Sequence, residues 1–439
     1  MTSAPKLRPF QRIGVDTLLE RDAQGIKGQL LADDMGLGKT VQAIAFADAV
    51  NASPILVVCP ACLVDNWGAE VEKWAREPES WVIRSYNIAT RDWQEYAGRN
   101  RWGLLVLDEC HNLKSESSNR TRMIAGGIRQ GRPPHTKGWK QGPLLRSAAR
   151  SLWVSGTPIL NRPSELIPML AAIGALERDF GGRERFSRYH CQGHHEGREW
   201  VESGAAHLEE LGRKLSPWML RRTKDEVLTE LPPKIRTIIP LGSKKLTGEE
   251  EERMLTAELF GLEEAMRNMY PPGCDFESMS LLRSEEAQEL VNPVVSYCRE
   301  VLCTTTPIIV FAHHVPLVQG IAEGLRGHGY RTAVIAGGIS KAKRAAAVES
   351  FQGGELDVVV CSIRAAGVGI TLTRASTVIS AEADWSPGIN WQAEDRAHRI
   401  GQKGTVICHY LVREGSLASL VLRKMLSKQE VIDGVFNTP

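Results

Sequence analysis

No apolar stretch in this 439-residue chain runs uninterrupted for the roughly 18–20 residues that a bilayer crossing needs. Its opening, MTSAPKLRPF, has no basic segment followed by an apolar run, so neither a membrane span nor a secretory leader is expected. A charge excess is missing too. Lys+Arg number 54 and Asp+Glu 52, a formal net charge of +2, so any nucleic-acid surface must come from local clustering. No tract is polar and simple enough to read as a disordered tail, and 42% hydrophobic with 24% charged residues is the composition of folded domains. The nine cysteines are scattered, odd in number and partly inside apolar strand-like runs. They read as reduced, buried thiols of an intracellular protein and not as a disulfide framework. The length is enough for two or three domains, each with its own core.

Two groupings invite a zinc reading: Cys59 with Cys62, and His190, Cys191, His194 and His195. Each has a plainer rival. Cys59-Pro60-Ala61-Cys62 ends the apolar run ILVV without a second CxxC, and the histidines stand in a polar, glycine-containing stretch that reads as a loop.

What is present is an alternation of short aliphatic runs and longer helix-patterned stretches. GQLLAD precedes KTVQAIAFADAV, PILVVCP precedes LVDNWGAEVEKW, and WGLLVLDE and SLWVSGTP follow. The rhythm returns in PIIVFAH, YRTAVIAG, LDVVVCS, STVISAE and TVICHYLV. Such alternation predicts parallel sheets with crossover helices, in two α/β lobes. Between them, over about 165–305, strand signals are sparse and charged, leucine-bearing stretches carry helical spacing. The division expected is therefore a first lobe over 1–220 with a helical insertion from about 165, a connector and helical insertion over 221–300, and a second lobe over 301–439. The acidic run Glu249–Glu252 reads as a solvated helix start. Residues 119–150 are basic, rich in Gly and Pro, and include Trp139. They read as a long surface loop, either a mobile insertion or a DNA-gripping finger.

Three motifs carry chemistry. Asp33-Asp34-Met35-Gly36-Leu37-Gly38-Lys39-Thr40 follows a strand and opens a helix, the context a phosphate-binding loop requires. Gly36 and Gly38 let the backbone wrap a phosphate with Leu37 between them, Lys39 reaches the β- and γ-phosphates of ATP, and Thr40 supplies a hydroxyl to Mg2+. Asp33 stands where the first glycine of such loops is usual. Next, Leu104–Asp108 is an apolar strand ending in adjacent carboxylates. Asp108 is expected to hold Mg2+ through water, and Glu109 to orient or deprotonate the attacking water. Finally, Trp391–Gln402 reads WQAEDRAHRIGQ. Arg396 and Arg399, three apart, would share a helix face and serve a γ-phosphate with their planar forks.

The ordered set resembles the SWI/SNF-type branch of superfamily-two helicase-like ATPases, over nearly the whole chain. It comprises LRPFQRIGV, LADDMGLGKT, VVCPACLVDNW, LDECH, SGTP, RRTKDEVLTELPPK, AAGVGITLT, DWSPG and QAEDRAHRIGQ. DDMGLGKT, SGTPILNRPSEL, FAHH, QAEDRAHRIGQ and HYLV look most like the annealing-helicase, fork-remodelling subfamily. The resemblance implies two tandem RecA-like lobes with helical insertions, and ATP hydrolysed with Mg2+ in the cleft between them. Gln11 then looks like the adenine-reading glutamine, with Gln392 and Gly369 also serving the nucleotide. Segments Ser155–Thr157 and Gly367–Thr371 would couple nucleotide to DNA. The partner implied is double-stranded or branched DNA, held through its phosphates, for a translocase that anneals or remodels it or displaces bound proteins. A replication or repair protein is a further expected partner of this otherwise monomeric chain. The length leaves no room for the accessory DNA-recognition domains of eukaryotic members, and Cys110 replaces the Ala or Ser often seen within the DExH box. A cytoplasmic enzyme of a bacterial nucleoid, or a phage-encoded one, is the economical expectation. Two other classes stay open: an RNA or single-strand-unwinding helicase, and an ATP-gated scaffold without turnover.

Overall fold

The computed structural model describes residues 6–98, 101–128, 139–159, 162–197, 199–202, 204–228, 230–243, 287–366, 370–384, 386–414 and 422. Backbone contacts divide the chain after Thr229, and Glu230 begins a second unit. Unit one contains β1 (Gly28–Leu31), β2 (Ile55–Cys59), β3 (Trp81–Ser85), β4 (Leu104–Asp108), β5 (Gly126–Ile128), β6 (Trp139–Gln141), β7 (Ser151–Val154), β8 (His194–Glu196), β9 (Glu199–Val201) and β10 (Met219–Leu220). Six of them form one all-parallel sheet in the order β10-β1-β7-β4-β2-β3. Parallel neighbours need crossovers, and helices supply them: α2 (Lys39–Ala49) follows β1, and α3 (Val64–Trp74) follows β2, while α1 (Pro9–Ala23) precedes the sheet. β2 and β4 are buried at every position, which is why ILVVC and LLVLD read as unbroken apolar runs.

Unit two contains β11 (Lys234–Ser243), β12 (Ile308–Ala312), β13 (Thr332–Ile335), β14 (Val358–Ser362), β15 (Thr377–Ser380) and β16 (Val406–Glu414), in the parallel order β11-β16-β15-β12-β14-β13. Both faces of this sheet are covered. Ile308, Val310 and Ala312 enter one core with the helices Val291–Leu302 and Val315–Gly327, whereas Ile309 and Phe311 enter the other with Phe351 and Leu372. A strand buried on two sides needs apolar residues at consecutive positions, and this one has them.

All nine strands read from the sequence are present. Three others in the two six-stranded sheets, β3, β10 and β11, gave no comparable signal. β11 lies at the sheet edge, carries Lys234 and Arg236, and leaves Ile235 and Ile238 about half exposed (50% and 52%). A one-sided, charged edge strand has no apolar run to betray it. It falls within the stretch read as connector and helical insertion, whose residues 244–286 lie outside the described residues, as does the acidic run Glu249–Glu252.

The stretch 119–150 is not simply a loop. Asn119–Ile124 and Pro143–Arg146 are helical, and β5 and β6 pair antiparallel between them. Gly126, at φ 124°, permits the pairing, because a Cβ there would stand 2.1 Å from the Lys140 carbonyl oxygen. Trp139 is half-buried in β6, and residues 129–138 lie outside the described residues.

The second zinc grouping is divided by packing. His190 is buried, its ring edge-on to Phe180, while His194 and His195 stand exposed on β8. Cys59 is buried and Cys62 exposed. Among the described residues, no group of three or more such side chains could hold a metal ion. No described helix is long and apolar enough to cross a membrane.

Candidate active site

The carboxyl ends of β1, β4 and β7 are adjacent in the unit-one sheet, so the loops that follow them meet along one edge. After β1, seven residues lead to Lys39, the first residue of α2, with Thr40 beside it. Gly36 and Gly38 adopt φ of 85° and 74°, the left-handed turns that wrap the loop around the start of α2. Glycine is required at 38 for a second reason: a Cβ there would lie 2.4 Å from the Gln11 side-chain nitrogen. Gln11 Nε2 donates to the Leu37 carbonyl at 3.2 Å, and Gln11 Oε1 accepts from the Arg8 amide at 2.9 Å. Gln11 and Leu37, both buried, therefore fasten α1 to the loop.

Lys39 Nζ donates to the carbonyl oxygens of Asp33 at 2.8 Å and Asp34 at 3.1 Å. Burial lowers its pKa, against the attraction of Glu109, Asp33, Asp108 and Asp34. The ammonium thus lies among four carboxylates yet remains poorly solvated. Asp33 is wholly buried, and its carboxylate is gripped by the Arg222 fork and by Gln42 Nε2 at 3.0 Å. This ion pair gives the physical reason for an acid at a position where phosphate loops commonly have glycine.

Asp108 closes β4. Trp67 Nε1 donates to Asp108 Oδ2 at 2.8 Å, the Glu109 amide donates to Oδ1 at 2.9 Å, and the Tyr86 hydroxyl donates to the Asp108 carbonyl at 2.8 Å. Burial, and next the charge of Glu109, push the Asp108 carboxyl above the ordinary range. Glu109 sits at φ 49°, a left-handed conformation uncommon outside glycine, and its carbonyl is held by Asn112 Nδ2 at 2.9 Å. Its Oε2 lies 3.3 Å from His111 Nδ1 and accepts from Ser155 Oγ at 3.4 Å. Burial, then Lys114, lowers the His111 pKa to about 4, so its approach to Glu109 is not an ion pair at pH 7, and His111 Nδ1 also lies 3.2 Å from Ser155 Oγ. Ser155 also accepts from the Thr157 amide at 3.1 Å. A Cβ on the neighbouring Gly156 would stand 3.0 Å from Lys39 Nζ. Lys39, Asp108, Glu109 and the Ser155–Thr157 segment are thus one neighbourhood.

In unit two the expected helix face for the two arginines is absent, because the helix Pro387–Glu394 ends before them and residues 395–399 form turns and bends. The Asp395 cap still turns them toward one point. Arg396 Nη1 and Arg399 Nη1 donate to the same Ile370 carbonyl at 3.4 and 3.2 Å, and Arg399 Nη1 also to Thr371 Oγ1 at 3.0 Å. Gln392 is buried on the helix, and Gly369 lies outside the described residues. Beside them a closed network forms. Glu394 receives both arms of Arg236 at 2.7 Å, Lys234 at 2.9 Å and the Tyr410 hydroxyl at 2.7 Å.

Sequence reasoning assigned no role to Arg222, Gln42, Trp67, Tyr86 or Glu394. Arg222 and Trp67 lie in RRTKDEV and VVCPACLVDNW, which carried the family likeness, but no local spacing says what they touch.

Comparison with known proteins is consistent with this geometry. An SNF2-related domain matches residues 10–80 and 143–258, and a helicase conserved C-terminal domain matches residues 294–401. The DNA annealing helicase and endonuclease ZRANB3 of Bos taurus is 33% identical over 98% of this chain and 41% of its own length. A SWI/SNF-related matrix-associated actin-dependent regulator of chromatin, subfamily A-like protein 1, from Xenopus tropicalis is 32% identical over 93% of this chain and 43% of its own. The chain therefore spans less than half the length of these relatives. A SWI2/SNF2 ATPase core of Sulfolobus solfataricus in complex with dsDNA aligns over 99% of this chain and 98% of that one, at 22% identity and a TM-score of 0.43. With the SNF2-related and helicase C-terminal domains matched in order, the chain belongs to the SWI/SNF-type, SNF2-related family of helicase-like ATPases.

Proposed function

We propose that the chain is a DNA-dependent ATPase that moves along double-stranded DNA and uses that movement to anneal or remodel branched DNA or to displace bound proteins. The observation that carries this reading is the meeting of Lys39, Asp108 and Glu109 at one sheet edge, with Thr40 opening α2 beside them. An ammonium short of solvation, next to a glycine-wrapped helix start, is suited to a triphosphate. The Thr40 hydroxyl and Asp108 carboxylate are hard oxygen donors of the kind Mg2+ takes, and they fit that ion. When bound, Mg2+ supplies charge neutralisation at the phosphates.

Lys39 rests on the carbonyls of Asp33 and Asp34 with two of its three N–H donors, which leaves one for a phosphate oxygen. Glu109, fixed by its left-handed backbone and by Ser155 and His111, then holds and accepts a proton from the attacking water. Gln11 serves the base. Arg396 and Arg399 serve the γ-phosphate, and Gln392 and Gly369 also serve the nucleotide. The Ser155 contact joins the catalytic carboxylate to the SGTP segment, through which DNA contact is relayed to hydrolysis.

DNA as the polymer is supported by the likeness to ZRANB3, a DNA annealing helicase and endonuclease. ATP turnover should rise several-fold or more with duplex or forked DNA, less with single strands, and least with RNA. Best stimulation by single-stranded RNA, or no stimulation by any DNA, would contradict the reading.

A further inference from the structure

We infer that Arg222 is a positioning residue of the nucleotide site, acting on the phosphate loop through Asp33. The inference rests on the reading of that loop as a nucleotide site. Arg222 has one guanidinium and three structural clients. Its Nε donates to Asp33 Oδ1 at 3.0 Å and its Nη2 to Asp33 Oδ2, Nη2 also reaches Gln42 Oε1 at 2.9 Å, and Nη1 reaches the Phe10 carbonyl. The phosphate loop, α2 and the start of α1 are thereby fixed to one fork. The pair is withdrawn from solvent, with side-chain exposures of 14% for Arg222 and 0% for Asp33.

Space for the fork depends on α1. A Cβ on Gly14 would stand 2.2 Å from Gln42 Oε1 and 2.5 Å from Arg222 Nη2, so only glycine admits both groups. The Asp33 that Arg222 grips by its side chain also carries the carbonyl on which Lys39 rests. Backbone pairing continues the attachment: the Ala32 amide donates to the Leu220 carbonyl at 2.7 Å and the Asp34 amide to the Arg222 carbonyl at 3.0 Å. The Lys224 amide donates to Asp34 Oδ2 at 3.1 Å. The segment after β10 is thus a wall of the phosphate loop, and Arg222 is its anchor. Lysine keeps the charge but cannot span both Asp33 oxygens, Gln42 and Phe10 at once.

A loop aimed in advance binds more tightly than one that must be ordered by its ligand. The effect belongs to the phosphates and not to the base. Arg222→Lys should therefore weaken binding of fluorescent mant-ATP, mant-GTP and inorganic tripolyphosphate in parallel, by about tenfold, while kcat at saturating ATP with duplex DNA changes less than about threefold. Gly14→Ala, which removes no charge, should give the same parallel loss. Folding of each variant is checked by circular dichroism and melting. Unchanged affinities in either folded variant would overturn the proposal, as would loss for ATP alone with tripolyphosphate unaffected. Unfolding of both would assign the network to stability and overturn it equally. Should the unsubstituted protein bind none of the three, the nucleotide reading itself fails, an outcome distinguishable from failure of Arg222's role.

Discussion

The two units each bury a lysine among carboxylates, and the two burials come out with opposite signs. In unit one, burial wins: the Lys39 pKa falls and that of Asp108 rises. In unit two, pairing wins: Lys234 is raised, and Glu394 is lowered to about 2 despite complete burial, first by Lys234 and then by Arg236. Geometry explains the contrast. Glu394 has its lone pairs filled by Arg236, Lys234 and Tyr410, whereas Lys39 donates to two carbonyl oxygens and to none of the four carboxylates that attract it. A closed ion network is a finished structural element, and an incompletely matched one is prepared for a ligand that brings its own charges.

Arginine 399 tests that division most strongly, since it belongs to unit two but not to its closed network. As a γ-phosphate group it should matter for turnover: Arg399→Ala is expected to lower kcat by a factor of order 10³ while leaving nucleotide and DNA affinity near the original values. Loss of stability with unchanged kcat would place Arg399 in the structural class instead.

Next in size, Glu394→Gln and Asp108→Asn should shift stability in opposite directions under chemical denaturation. Glu394→Gln strands Arg236 and leaves Lys234 with Asp395 alone, and should cost about 3 kcal/mol. Asp108→Asn removes a poorly solvated charge and should leave stability equal or slightly higher, though hydrolysis is lost. Acid reads the same difference. Because the Glu394 pKa is depressed from 4.5 to about 2, its contribution is complete above pH 4.5 and is lost as pH falls toward 2. Asp108, raised, has the reverse sign: its burial penalty is relieved once pH drops below its folded pKa. Equal losses in both variants would erase the distinction between the units.

Much of the fold was legible because strands buried on both faces must be written as apolar runs. ILVV, LLVL, IIVFA and VVVC announce themselves, and DDMGLGKT and LDEC at the ends of two of them locate the site. What was not legible is instructive. β11 is a charged edge strand, and the hairpin within 119–150 depends on Gly126 and Gly142 allowing close backbone approach. Arg396 and Arg399 were expected on a helix because three-residue spacing suggests one, yet the helix ends at Glu394 and the turn aims both at Ile370. The grip of Arg222 on Asp33 spans 189 positions of sequence, and no local pattern encodes it.

The mismatched cluster of unit one is proposed to bind ATP and to hydrolyse it through Glu109. Measuring mant-ATP affinity and ATP turnover together in Glu109→Gln, with saturating duplex DNA, tests it most directly. Affinity is expected to stay within a few-fold of the original and turnover to fall by at least about 10²-fold. Turnover persisting at the original rate, or affinity and turnover vanishing together in a folded protein, would contradict it.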